Sequence, residues 1–207
     1  MEKLNKDLIF EELGKMFPDA QCELDFRNPF ELIVAVTLSA QTTDKRVNIV
    51  TKELFEKYNS PEKLMNADYQ DVMEIIKSIG LAKTKANNII NLSKMLVEKY
   101  NGLVPKTMEE LILLPGVGRK TASVVMSVGY DLPAIAVDTH VSRVSNRLNL
   151  SNSSDVIQIE KDLKNLYEED KWGLVHHRLL FFGRYFCKAK NPMCDECKFK
   201  DICVKDK

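Results

Sequence analysis

The chain has 207 residues, enough for one substantial core or two small ones, and its 44% hydrophobic and 29% charged residues describe an ordinary globular protein. Lys plus Arg and Asp plus Glu both number 30, so the formal net charge is zero and no uniformly basic nucleic-acid-binding surface can be assumed. No apolar run reaches membrane-spanning length, Leu32 to Ala40 being far too short, and Met1–Asp7 lacks the apolar core of a signal peptide, so an intracellular, cytoplasmic protein is expected.

Helical spacing dominates along the chain. Leu4, Leu8, Ile9, Leu13 and Phe17 line one face of a first predicted helix, which Pro18 ends. Phe30 to Leu38 is almost continuously apolar and reads as a helix buried on all sides. Asp44 is expected to cap a helix carrying Val47, Val50, Leu54 and Phe55, and Ser60 another with Pro61 at its first position. Further helices are predicted over Asp71–Ile79, Lys85–Lys99, Thr107–Leu113, Arg119–Val128, Asp138–Leu148, Asp155–Tyr167 and Lys171–Phe186. Connections are short and rich in Gly, Pro, Asn and Ser, and strand alternation is scarce, so the fold class is all-α.

The charge is unevenly spread. Residues 111–150 and 171–207 together carry a surplus of seven positive charges, balanced by seven negative elsewhere. A chain polarised in this way can present a basic face to a phosphate backbone.

Leu114-Pro115-Gly116-Val117-Gly118-Arg119-Lys120 reads as a turn between two helices. Its glycines are expected to take left-handed angles and to let the backbone approach a ligand. The first amides of the helix that follows have no internal partner and carry the positive end of its dipole, so a DNA phosphate fits there whatever the base. Lys120 lies in the first turn of that helix, where the dipole disfavours a cation. It is either a solvated or phosphate-contacting lysine, or an amine whose pKa the helix field and partial burial lower until it can form a Schiff base. Ile79-Gly80-Leu81-Ala82-Lys83-Thr84-Lys85-Ala86 echoes the same pattern, either as a second such turn or as a structural one.

Val137-Asp138-Thr139-His140 follows the apolar Pro133–Ala136. Asp138 is placed to cap a helix, and a carboxylate facing Lys120 could also hold a proton or stabilise a sugar cation. His140 reads as structural or phosphate-contacting. Cys187, Cys194, Cys197 and Cys203 fall within seventeen residues, separated by six, two and five. In an intracellular protein that spacing indicates a metal site, and it leaves zinc and a [4Fe–4S] cluster equally open. Lys188, Lys190, Lys198 and Lys200 give the loop a basic rim, while Cys22 stands apart as an expected buried small hydrophobe.

Taken together, Leu114–Ala122, Val137–His140 and the cysteine loop resemble the bacterial endonuclease III family of helix–hairpin–helix, iron–sulfur DNA glycosylases and lyases. The likeness runs from Leu38-Ser39-Ala40-Gln41-Thr42-Thr43-Asp44 to Cys203. It implies removal of oxidised pyrimidines from double-stranded DNA and cleavage 3′ to the abasic site, with Lys120 as nucleophile and Asp138 as catalytic carboxylate. It further implies a [4Fe–4S] cluster on Cys187, Cys194, Cys197 and Cys203, and Gln41 and Leu81 filling the gap left by an extruded nucleotide. Gly116, Gly118, Arg119, His140 and Arg143 are the other expected DNA contacts. The implied architecture is a six-helix domain over residues 22–132 and a cluster domain built from 1–21 with 133–207, a cleft between them bringing Lys120 and Asp138 face to face. A monomer associated with the nucleoid through DNA, without membrane contact, is expected. Two other readings are a monofunctional iron–sulfur glycosylase and a non-catalytic DNA-binding module.

Overall fold

In the computed structural model residues 6–204 are described, and every regular element among them is helical. Chain contacts group them into two compact units, Glu23–Leu132 and residues 6–22 with 133–204. Leu4, expected on the first helix, lies outside the described residues.

The Glu23–Leu132 unit is built around α2 (Pro29–Leu38). Asn28 caps it by accepting from the Glu31 amide, and Pro29 supplies the fixed φ of a first position. All nine residues from Phe30 to Leu38 are buried, as their unbroken apolar run requires. Glu31, the one carboxylate among them, is neutralised by Arg27, whose backbone amide and guanidinium both donate to it. The helices α3 (Asp44–Lys57), α4 (Pro61–Met65), α5 (Tyr69–Ile75) and α6 (Ala82–Tyr100) follow. α2 packs against α3 and α6, and α4 lies along α6. The short α7 (Met108–Leu111) leads into the hairpin, and α8 (Arg119–Val124) leaves it.

Several helix starts differ from the sequence reading. Thr43, not Asp44, caps α3, because the extended backbone at Thr43 points its hydroxyl at the Arg46 amide. Asp44 is the first helical residue, where its charge still suits the dipole. Asp68 caps α5, while the side chain of Asp71 is taken by Tyr58 and Lys57. The helix expected over Arg119–Val128 stops at Val124 and widens into a π turn, Val125–Gly129. That turn packs on α2, with Gly129 close against Leu32.

In the second unit α1 (Lys6–Met16) packs on α11 (Trp172–Phe181), which also meets α9 (Thr139–Arg147), and α10 (Val156–Leu166) borders α9. Ile9, Leu13, Val141, Val144, Ile159, Leu163, Leu179, Phe182 and Phe199 fill its core. Leu8, expected inside, is exposed because it lies off the Ile9–Leu13 stripe, and Cys22 is only half-buried. α11 continues as a π turn, Phe182–Phe186. Gly183 lets that turn cross α9 closely, since a Cβ there would sit 2.9 Å from the His140 Cβ. No described helix is long and apolar enough to cross a membrane.

Candidate functional site

The hairpin is closed by the Val117 amide donating to the Leu114 carbonyl at 3.1 Å, with both side chains buried beneath it. Gly116 has φ +78°, and a Cβ there would lie 2.8 Å from Asn88 Nδ2 and 3.0 Å from the Asn88 Cβ. Gly118 does not take the left-handed angle expected of it: φ is −96° and ψ 177°, extended backbone open to any residue. It is the N-cap of α8 and lends no side chain to the cap, and nothing lies within 4 Å of where a Cβ would be. No side chain caps the amides that open α8. Ala122 and Ser123 turn inward, whereas Arg119 and Lys120 are exposed. The partial burial expected for Lys120 is absent, because position 120 lies on the side of the helix away from its packed face.

Asp138 is half-buried and caps α9: its Oδ1 accepts from the His140 amide at 2.9 Å and the Val141 amide at 2.8 Å. Oδ2 makes no hydrogen bond among the described residues. One carboxylate oxygen is thus committed to the fold. The segment leading in, Ala134–Ala136, is buried, and His176 Nδ1 lies 2.7 Å from the Ala136 carbonyl. A carbonyl can only accept, so that nitrogen carries the proton. Arg143, expected to contact phosphate, has a packing role in the fold. Its guanidinium donates to the carbonyls of Cys187, Thr139 and Gly183 and lies 3.2 Å from His140 Nδ1, tying α9 to the cysteine loop.

The structure brings Gln41 and Leu81 together. Both are exposed non-glycine residues with positive φ, +56° and +60°, and a Cβ on Gly80, the residue before Leu81, would lie 3.9 Å from the Gln41 carbonyl oxygen. Leu81 is 59% exposed at the tip that opens α6. Such a hydrophobe on a left-handed turn has no packing reason to be there.

Cys187, Cys194, Cys197 and Cys203 line one recess with Leu148, Phe182, Phe186, Pro192 and Met193. Burial pushes the Cys197 thiol up, the Phe199 amide opposes this, and the sulfurs of Cys187, Cys203 and Cys194 add to the push. Arg147 Nη1 donates to Cys187 Sγ at 3.2 Å and to the Lys188 carbonyl at 2.9 Å. No group of three or more His, Cys, Asp and Glu among the described residues is arranged to hold a metal ion.

Sequence reasoning missed two residues that stand behind these groups. His176 supports the approach to Asp138, and Lys85 supports the Gln41 turn through bonds to Ala40 and Thr42. The signal for Lys85 was its register: it falls on the buried stripe of Ala86, Ile89, Leu92 and Leu96.

Residues 34–169 match the model of the HhH-GPD superfamily base excision DNA repair protein family. The chain is 52% identical over 198 residues to endonuclease III of Bacillus subtilis, covering 95% of this chain and 90% of the relative. It is 41% identical over 203 residues to endonuclease III of Escherichia coli, covering 98% and 96%. A solved endonuclease III–DNA covalent intermediate, trapped as an estranged-adenine complex, superposes with a TM-score of 0.94 at 50% identity over 99% of this chain and 97% of that one.

Proposed function

Because the chain belongs to the HhH-GPD superfamily of base excision DNA repair proteins, we propose that it is a bifunctional glycosylase and lyase acting on oxidised pyrimidines in double-stranded DNA. The observation that carries this reading is one hairpin that joins a helix start uncapped by any side chain to an amine: a Cβ at Gly118 would meet nothing within 4 Å, and Lys120 stands exposed two residues on. The half-identical endonuclease III trapped covalently on DNA supports a nucleophile over a passive grip.

The hairpin amides take one phosphate near the lesion, and the base flips at a cost that damage reduces. Deprotonated Lys120 Nζ attacks C1′, and the base leaves with the electrons of the glycosidic bond. Asp138 Oδ2 takes the ammonium proton and offsets positive charge on the sugar. Loss of an amine proton and opening of the sugar ring give the imine, which acidifies C2′. Removal of a C2′ proton then expels the 3′ phosphate by β-elimination. Gln41 and Leu81 occupy the vacated stack, an apolar wedge offsetting lost stacking. One lesion needs one copy, so the working species is a monomer acting on DNA in the cytoplasm.

The four cysteines supply the thiolates that a [4Fe–4S] cluster needs. Zinc needs four sulfurs about 2.3 Å from a single centre, whereas a cluster gives each thiolate its own iron and spreads the sulfurs round a larger body. Four cysteines lining one recess support a four-thiolate site, and the resemblance to iron–sulfur glycosylases favours the cluster. When bound, the cluster would close the loop and hold its basic rim, a structural task without electron transfer.

Borohydride trapping on abasic duplex tests the mechanism. The wild-type protein should become covalently linked, and Lys120→Gln should lose linkage and nicking while keeping most of its DNA affinity. Nicking by Lys120→Gln at the normal rate would remove Lys120 as nucleophile.

A further inference from the structure

Gln41 and Leu81 sit on separate turns, and a buried lysine bonds to both. Lys85 is only 3% exposed. Its Nζ donates to the Ala40 carbonyl at 2.6 Å and to Thr42 Oγ1 at 3.1 Å, the residues on either side of Gln41. Its backbone amide donates to the Leu81 carbonyl at 3.0 Å. No carboxylate pairs with it among the described residues, and burial pushes its pKa down. A buried ammonium without a counter-ion is costly, and an apolar side chain here would simply extend the stripe of α6. Left-handed backbone at two non-glycine residues likewise persists only where neighbours hold it.

We propose that Lys85 is a positioning residue that fixes the spacing of the Gln41 and Leu81 turns so that both enter the duplex together. It acts on extrusion of the damaged nucleotide and not on bond breaking. This rests on the gap-filling reading of Gln41 and Leu81 given above.

The test compares single-turnover excision of one oxidised pyrimidine from a fully paired duplex and from a small unpaired loop, where the base is already unstacked. Lys85→Met, which keeps the aliphatic stem, should slow excision about tenfold on the paired substrate, as expected for loss of a charged hydrogen bond. It should stay within about twofold on the loop, since nothing there must be pried apart. 2-Aminopurine placed beside the lesion should show a matching drop in unstacking amplitude. Equal slowing on both substrates, or none on either, would overturn the proposal. Should Lys85→Met not fold, Thr42→Val removes one acceptor at a half-buried position; a selective loss of about threefold supports the proposal, and an unchanged paired rate overturns it. Gln41→Ala and Leu81→Ala separate the two levels. If both excise paired lesions at the wild-type rate, the gap-filling reading itself fails. If both are selectively slow while the Lys85 and Thr42 variants are not, only the role of Lys85 fails.

Discussion

Replacing each hairpin glycine by alanine should separate a glycine the fold needs from one the ligand needs. At Gly118 the backbone is extended and a Cβ would meet nothing within 4 Å. Alanine restricts the unfolded chain, worth about 0.4–1 kcal/mol, but is a poorer N-cap than glycine by on the order of 0.5–1 kcal/mol. The two nearly cancel, and Gly118→Ala should unfold within about 0.5 kcal/mol of its parent. At Gly116 the left-handed angle alone costs roughly 1–2 kcal/mol for alanine. The overlap with the Asn88 Cβ, which α6 anchors and which cannot swing aside, adds on the order of 1–3 kcal/mol. Gly116→Ala should therefore lose about 2–5 kcal/mol in urea denaturation. Binding should rank the variants the other way. Measured by fluorescence anisotropy at one fixed salt concentration, in a Lys120→Gln background on an uncleavable abasic analogue, Gly118→Ala should lose about tenfold in affinity. Its methyl group stands where a phosphate oxygen must reach the first amides of α8. Unchanged affinity in Gly118→Ala would mean that these amides hold no phosphate, and the hairpin reading would fail.

Two further outcomes are expected. Asp138→Asn keeps an oxygen on the His140 and Val141 amides and should hold wild-type stability, whereas Asp138→Ala should lose about 1 kcal/mol; both should lose excision, and an active Asp138→Asn would take the carboxylate out of the chemistry. Stripping iron with a chelator should bleach a yellow-brown solution and deprotect residues 187–203 in hydrogen exchange while α2–α6 keep their protection, and a loop that stays protected once bleached would contradict the structural role given to the cluster.

Legibility in the sequence followed how many physical demands fell on one residue. The run from Phe30 to Leu38 was readable because burial on every side leaves a continuous apolar string and nothing competes with it. Ser60-Pro61 and Asp155 were readable as helix starts because Pro61 marks the first helical position and Asp155 directly precedes the apolar pair Val156-Ile157. Thr43-Asp44 was not, since two adjacent residues can both cap and only the backbone angle at Thr43 decides. The π turns after α8 and α11 left no trace, because an extra residue in a helical turn shifts the apolar register by less than the stripe is wide. Lys85 escaped because a lysine in a glycine-turn context is read as a surface charge, and the carbonyl and hydroxyl that receive it lie more than forty residues away in sequence.

The same competition explains why charge read from sequence overstates the basic face. Three of the cations behind the surplus of residues 111–150 and 171–207 are turned inward to backbone. Arg143 bonds three carbonyls, Arg147 bonds the Cys187 sulfur and the Lys188 carbonyl, and Arg178 donates to the Phe10 carbonyl while lying 4.0 Å over the Phe10 ring. Lys198 on the cysteine loop is paired with Glu12 at 2.9 Å. Their charge still adds to the field, but a guanidinium bonded to carbonyls has few N–H groups left for a phosphate. Exposed cations in the same segments include Lys120 at the hairpin and Lys188, Lys190 and Lys200 on the cysteine loop. Arginine has therefore gone mainly to hold the fold, where a rigid fork of donors is useful, and lysine to the surface, where a mobile point charge suffices.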